Sequence, residues 1–241
     1  GGGVLAGCGS SSSSSEGTGT RAAASASAET ANGVAELPAK EILARSLAAS
    51  KAATSVTVVG SQTDGQDMAF ELVLGTGVGQ GTLSFNGVPA LEFRQVDGNL
   101  YWKISREGAE MIIGPGEASK AIGGRWVFAP VGSEDAGMAD LGEFGNKNAL
   151  MAFLLQPKGT ATVAGTGDVG GTPVVFVRIK DGNDTGTLAI QTMGEPLPVQ
   201  FKGGEENGDF TFSNWNAPVN VTAPADAVSS DDVLKQAGAS G

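Results

Sequence analysis

Histidine is absent from this chain of 241 residues, and cysteine and tyrosine occur once each. Without histidine there is no Ser-His-Asp or Cys-His triad, no histidine-bearing zinc site and no ordinary general base near neutral pH. A single cysteine, Cys8, excludes an internal disulfide, so a large apolar core must hold the fold together. Basic residues are also scarce: 15 against 26 acidic ones give a net charge of −11, which repels phosphate backbones and argues against nucleic acid as a partner. Aromatic residues make up only 6%. No apolar run approaches the roughly 18 residues that a membrane-spanning helix requires.

What is present is small and turn-forming. Thirty-eight glycines, with many threonines and valines, point to strands joined by tight turns. From Gly9 to Ala35 the chain is nearly all Ser, Gly, Ala and Thr, too polar to offset its ordering entropy, and reads as a flexible linker. Such a segment has an r.m.s. reach of about 30 Å.

Ahead of the linker, Val4-Leu5-Ala6-Gly7-Cys8 resembles a bacterial lipoprotein processing site. Small residues suit an extended backbone in a peptidase groove, and the thiol that follows accepts a diacylglycerol. On that resemblance residues 1–7 are a signal-peptide remnant, and residues 8–35 are a lipid attachment site at Cys8 plus its linker. Two or more acyl chains hold stably, so Cys8 would anchor the chain to a membrane that it never crosses.

The segment 36–225 reads as one domain and 226–241 as a loosely held tail. Glu36 to Ala53 has helical spacing at Ile42, Leu43, Ser46, Leu47 and Ser50. Beyond Thr54 the period becomes two. Val56–Ser61, Met68–Leu74, Gly81–Phe85, Ala90–Val96 and Asn99–Ile104 form a meander of hairpins turning at pairs such as Asn86-Gly87 and Asp97-Gly98. Signals weaken from Arg106 to Gly145, a mobile flap or a long connection, with one short strand at Arg125–Phe128. A second helix is expected at about Asn148–Leu155, closed by Pro157. Strands then return at Thr160–Ala164, Thr172–Lys180, Thr185–Gln191, Leu197–Lys202 and Asp209–Trp215.

Several local signals carry no chemistry. Gly75-x-Gly77-x-Gly79-x-Gly81 opens a strand rather than the helix that a phosphate loop needs, and Asp181-x-Asn183-x-Thr185 lacks the glutamate of a calcium loop, which is Thr192 here. Carboxylates such as Asp64 and Asp67, or Glu205 and Glu206, lie in turns. No metal, cofactor or enzymatic activity is expected. Trp102, Trp126 and Trp215 read as core.

Ten strands about 4.8 Å apart span about 48 Å, and two helices of about 10–12 Å shield less than half of that. The sheet must curl, or something else must cover it. Glycines inside strands, at Gly79, Gly81, Gly165 and Gly186, favour bending and bulging. The expected fold class is α+β: a curved antiparallel half-barrel of about ten or eleven strands with helices over its concave face. Its candidate cavity wall is Phe70, Leu72, Leu74, Leu83, Phe85, Leu91, Phe93, Leu100, Trp102, Val175, Val177, Leu188, Ile190 and Phe201. A filled sandwich core has the same pattern, so periodicity alone leaves both open.

The helix at Glu36–Ala53, the glycine-rich hairpins, Val96-Asp97-Gly98-Asn99-Leu100-Tyr101-Trp102-Lys103, Gly124-Arg125-Trp126-Val127, Leu197-Pro198 and Asn214-Trp215-Asn216-Ala217-Pro218-Val219 together resemble the actinobacterial LppX/LprG lipoprotein family. That family is itself similar to the LolA and LolB carriers. The resemblance implies a monomeric half-barrel whose hydrophobic cavity carries a lipid or glycolipid within the cell envelope. It also implies lipid anchoring on the outer face of the bacterial plasma membrane, with an envelope export partner. The alternative is a LolA-like sensor or scaffold domain that binds a partner protein.

Overall fold

The computed structural model describes residues 30–63, 67–133, 145–182, 184–203 and 208–236. Cys8, and the turn carboxylates Asp64, Glu205 and Glu206, lie outside the described residues.

Twelve strands make one sheet in the order β12-β6-β5-β4-β3-β2-β1-β11-β10-β9-β8-β7. In chain order they are β1 (Ser55–Thr63), β2 (Asp67–Gly75), β3 (Gly79–Phe85), β4 (Val88–Val96), β5 (Asn99–Ile104), β6 (Trp126–Pro130), β7 (Thr160–Val169), β8 (Thr172–Asp181), β9 (Asp184–Gln191), β10 (Pro198–Lys202), β11 (Asp209–Ser213) and β12 (Val228–Ser229). Every pairing is antiparallel except that of β12 with β6. The two meanders meet where β1 pairs with β11. The sheet stays open, with β7 and β12 at its edges, so the expected half-barrel is the observed architecture.

Among the described residues five α-helices accompany it: α1 (Ala39–Ala52), α2 (Arg106–Ile113), α3 (Glu117–Ile122), α4 (Lys147–Leu155) and α5 (Ser230–Gln236). The apolar spacing of α1 buries Ile42, Leu43 and Leu47, and Pro38 stands at its N-cap, one position ahead of where its ring suits a first turn. Asn146 caps α4, its Oδ1 accepting from the amides of Asn148 at 3.0 Å and Ala149 at 3.3 Å. Ser105 Oγ accepts from Gly108 N at 2.9 Å and starts α2. The weak signals after Arg106 therefore conceal α2 and α3, helices too short for periodicity to declare them.

The segment expected as a tail from residue 226 contains β12 and α5. Beyond β11 the chain is held to the β1 end of the sheet, where Ser55 Oγ donates to Ala217 O at 2.5 Å. It then meets β4, where Arg94 Nη1 donates to Thr222 O at 3.2 Å, before β12 pairs beside β6. Val233 of α5 is 7% exposed within the core cluster. Burial of one apolar side chain there explains why this short helix is held.

Glycines inside the strands serve two purposes. Gly165, at φ 116, sits at the bulge where β7 shifts register against β8. Gly60, Gly81 and Gly186 instead leave room for neighbours. A Cβ on Gly60 would meet the Phe70 ring and come within 2.5 Å of the Phe210 ring, and one on Gly186 would meet Phe201 at 2.5 Å. A Cβ on Gly81 would lie 2.6 Å from both Leu72 and Phe93 and 3.0 Å from the Glu71 carbonyl. Because Leu72 and Phe93 are 2% and 0% exposed, neither can retreat. Gly81→Ala is expected to cost about 1–3 kcal/mol in a urea titration. Gly60→Ala should cost less, because its half-buried rings can swing toward solvent.

Candidate functional site

Register and pleat define one inner face. One row across it runs Val58, Leu72, Gly81, Phe93, Trp102 and Val127. A second runs Gly60, Phe70, Leu83, Leu91 and Ile104, and continues the other way through Phe210, Phe201, Leu188 and Val177. A third, at the end of the sheet where β1 begins, runs Val56, Leu74, Gly79, Gln95, Leu100 and Ala129. A fourth, at the opposite end, begins with Gln62, Met68 and Phe85.

All fourteen residues expected to wall a cavity lie on this face, and their exposure divides them. Leu72, Leu74, Leu91, Phe93, Leu100, Trp102, Val175, Val177, Leu188 and Ile190 are each 7% exposed or less. Phe70, Leu83, Phe85 and Phe201 are half-buried. The buried group is covered by more protein than the expected two helices: α2 packs on β4, α3 packs on α2 and α5, and α5 closes the edge at β6 and β12. The half-buried group gathers at the far end, with Phe210. There the Phe70 and Phe210 rings are 5.4 Å apart, and Phe201 stacks on Phe210 at 5.5 Å and 12°. The inner face is thus an apolar trough, sealed where β1 begins and half-open where β1 ends.

The sealed end has a polar fitting that the sequence reading missed. Lys147, at the first position of α4, is 1% exposed. Its Nζ donates to Ser50 O at 2.5 Å, Lys51 O at 3.4 Å and Asn148 Oδ1 at 3.1 Å. Burial pushes its ammonium below the ordinary lysine value, while the carbonyls ending α1 favour the charge. One signal was available: a cation in the first turn opposes its own helix dipole, which suggests that it serves another helix.

Outside the trough, a shallow groove of about 330 Å³ on the opposite face is bordered by Glu71, Val73, Gln80, Thr82, Glu92 and Arg94. Arg94 is already engaged there, with Glu92 at 3.2 Å and over the Trp126 ring at 4.9 Å. Of the three tryptophans expected in the core, Trp102 is in the core cluster, Trp215 packs partly buried against it with Nε1 donating to Pro198 O at 3.1 Å, and Trp126 is instead buried on the outer face beneath Arg94 and Lys103. Among the described residues no cluster of three or more His, Cys, Asp or Glu side chains could hold a metal. Nor is any described helix long and apolar enough to cross a membrane.

This open half-barrel, with helices over an apolar inner face, is a fold that the chain shares with LprF. LprF from Mycobacterium bovis is similar to this chain at 21% identity and a TM-score of 0.50, over 78% of this chain and 97% of LprF. The Mycobacterium tuberculosis lipoprotein LppX is 19% identical with a TM-score of 0.46, over 76% of this chain and 97% of its own. MucB of Pseudomonas aeruginosa, solved with MucA, is 16% identical with a TM-score of 0.42, over 78% of this chain and 62% of that chain. No protein-family model matches the chain, and no curated protein matches it by sequence.

Proposed function

We propose that this chain is a non-enzymatic lipid-binding domain of the bacterial envelope, which takes a hydrocarbon chain of a lipid or glycolipid into the trough. One observation carries the reading: the half-buried patch of Phe70, Leu83, Phe85, Phe201 and Phe210 runs without a break into the buried inner face. A monomer would otherwise cover such a patch. Transfer works by partition, since about 0.8 kcal/mol per methylene favours an apolar site over water.

In this reading Cys8 carries the acyl anchor and residues 9–29 are the tether, which ends short of the expected Ala35 because Ala31 and Asn32 bond to the domain and Val34 is buried in its core. The tether joins the domain at the sealed end. There Ala31 bridges to Met193, and Asn32 Nδ2 donates to Gln191 O and Gly194 O, both at 3.1 Å. The mouth faces the other way, so the domain must turn about this attachment for the mouth to meet a bilayer.

A second reading, docking of a partner protein on the fold, is favoured by the ten inner residues that are 7% exposed or less, which pack as a finished core. Native mass spectrometry of the domain purified without detergent separates the two. Lipid binding predicts an added mass of one lipid, or its appearance after incubation with envelope lipid extract. A domain that stays at its bare mass under both conditions favours docking.

A further inference from the structure

We propose that the open edge of the sheet at β7 is a docking strip for an extended acidic peptide, which pairs with it as one further strand. The inference goes beyond the lipid-binding reading and does not depend on it. β7 lies three strands beyond β10, the nearest strand to contribute to the half-buried patch.

The two edges of the sheet are finished differently. At one, β12 pairs with β6 and α5 packs on both. At the other, among the described residues, β7 pairs with β8 alone. It is ten residues long and eight of them are exposed. An edge strand leaves half of its main-chain donors and acceptors pointing outward, and proteins usually blunt such an edge with lysine, proline or a short strand. β7 has neither lysine nor proline, and from Thr160 to Gly167 it carries no charge. Its one interruption is the bulge at Gly165, which leaves Thr160–Val163 as a regular run. Within that run Val163 is 42% exposed beside Val177, which is 0% exposed, so an added strand would cover an apolar side chain that β7 leaves bare.

Charge selects the occupant. The chain carries a net charge of −11, yet the outer face beside this run is basic. Register sets Arg178 next to Thr162 and Lys180 next to Thr160, and Lys158 comes just ahead of the strand. All three are exposed, and among the described residues none of them forms an ion pair. The row continues inward through Thr187 to Lys202, which has Asp209 opposite it. Asp181 and Asp184 pair one position beyond Lys180, where the strand alternates to the other face. Thr160 and Thr162 are short, so Arg178 and Lys180 can lean over them toward a strand about 10 Å from β8. Asp168 stands at the opposite end of β7 and disfavours acids there. A peptide lying antiparallel therefore has acidic side chains opposite Thr160 and Thr162, and apolar ones opposite Ala161 and Val163. The outward main-chain groups select a peptide, because only another backbone matches their spacing.

Fluorescence anisotropy on the full chain at low salt tests this with labelled Ser-Thr-Val-Glu-Val-Glu-Ser. That peptide is expected to bind at least about tenfold more tightly than Ser-Thr-Val-Lys-Val-Lys-Ser, and by a similar margin over Ser-Thr-Pro-Glu-Pro-Glu-Ser, which keeps the charge but lacks the amides of the ladder. Arg178→Glu combined with Lys180→Glu should turn the preference toward the lysine peptide. Failure of the glutamate peptide to bind would overturn the strip, and equal binding of the proline peptide would reduce it to a patch of charge. A preference unchanged in the double variant would also overturn it, as would a dimer in sedimentation at the same concentration, since a second copy would then fill the edge. The two wild-type ratios decide the matter even if the double variant folds poorly, and lipid uptake, measured separately, is untouched by either result.

Discussion

Phe93→Ala should lower the stability of the domain by about 3–5 kcal/mol, the range for truncating a buried phenylalanine. Phe93 is 0% exposed. It faces Gly81 on one side and Trp102 on the other, and its ring occupies the space that the missing Gly81 side chain leaves. Neither neighbour can collapse into the void, because Gly81 has nothing to move and Trp102 is itself 6% exposed in the core cluster. The cost should sit near the upper part of the range, and a thermal midpoint lower by about 6–20 °C would record it. If Phe93 instead lined an empty cavity, truncation would enlarge a void that already exists and cost little. A change below about 1 kcal/mol would mean that the inner face is hollow at Phe93, contrary to its burial.

That result bears on how much of the molecule could be read before its shape was known. Period-two alternation located eleven of the twelve strands, because a strand half-buried on one face writes its register into every second residue. It also placed Phe70, Leu83 and Phe93 on the same face without error. What alternation does not encode is depth. Leu83 and Phe93 follow the same rule, yet one is half-buried and the other fully buried, because depth is set by helices from distant parts of the chain. Two of those helices, α2 and α3, hide among glycines, at Gly108, Gly114, Gly116 and Gly123, that lower helix propensity and obscure the spacing. Gly108 has its own purpose: a Cβ there would lie 2.6 Å from the Ala90 carbonyl, so glycine lets α2 seat against the β4 bulge. Likewise Gly81 and Gly186, read as points of bending, are spaces for Phe93 and Phe201, a role visible only once cross-strand partners are known.

Leu83→Asp separates the mouth from the core. Leu83 already reaches solvent, so a carboxylate there can stay hydrated by turning toward the opening, and the fold should survive with a loss of about 1–2 kcal/mol. Uptake should fare differently. A hydrocarbon chain passing the Phe70, Leu83 and Phe210 patch would strip water from the carboxylate, at a cost of several kcal/mol that nothing nearby repays. No basic side chain shares the row of Leu83 between Gly60 and Ile104. Binding of a fluorescent fatty acid should therefore weaken by at least about tenfold, equivalent to 1.4 kcal/mol. Thr82→Asp adds the same charge one residue away on the opposite, exposed face, and should leave binding within about twofold, so a general effect of net charge is separated from blockage of the mouth. If Leu83→Asp unfolds the domain, the half-buried patch is structural and the trough has no entrance there. If it binds as the wild type does, hydrocarbon enters by another route, and the case for this end of the sheet as a mouth is lost.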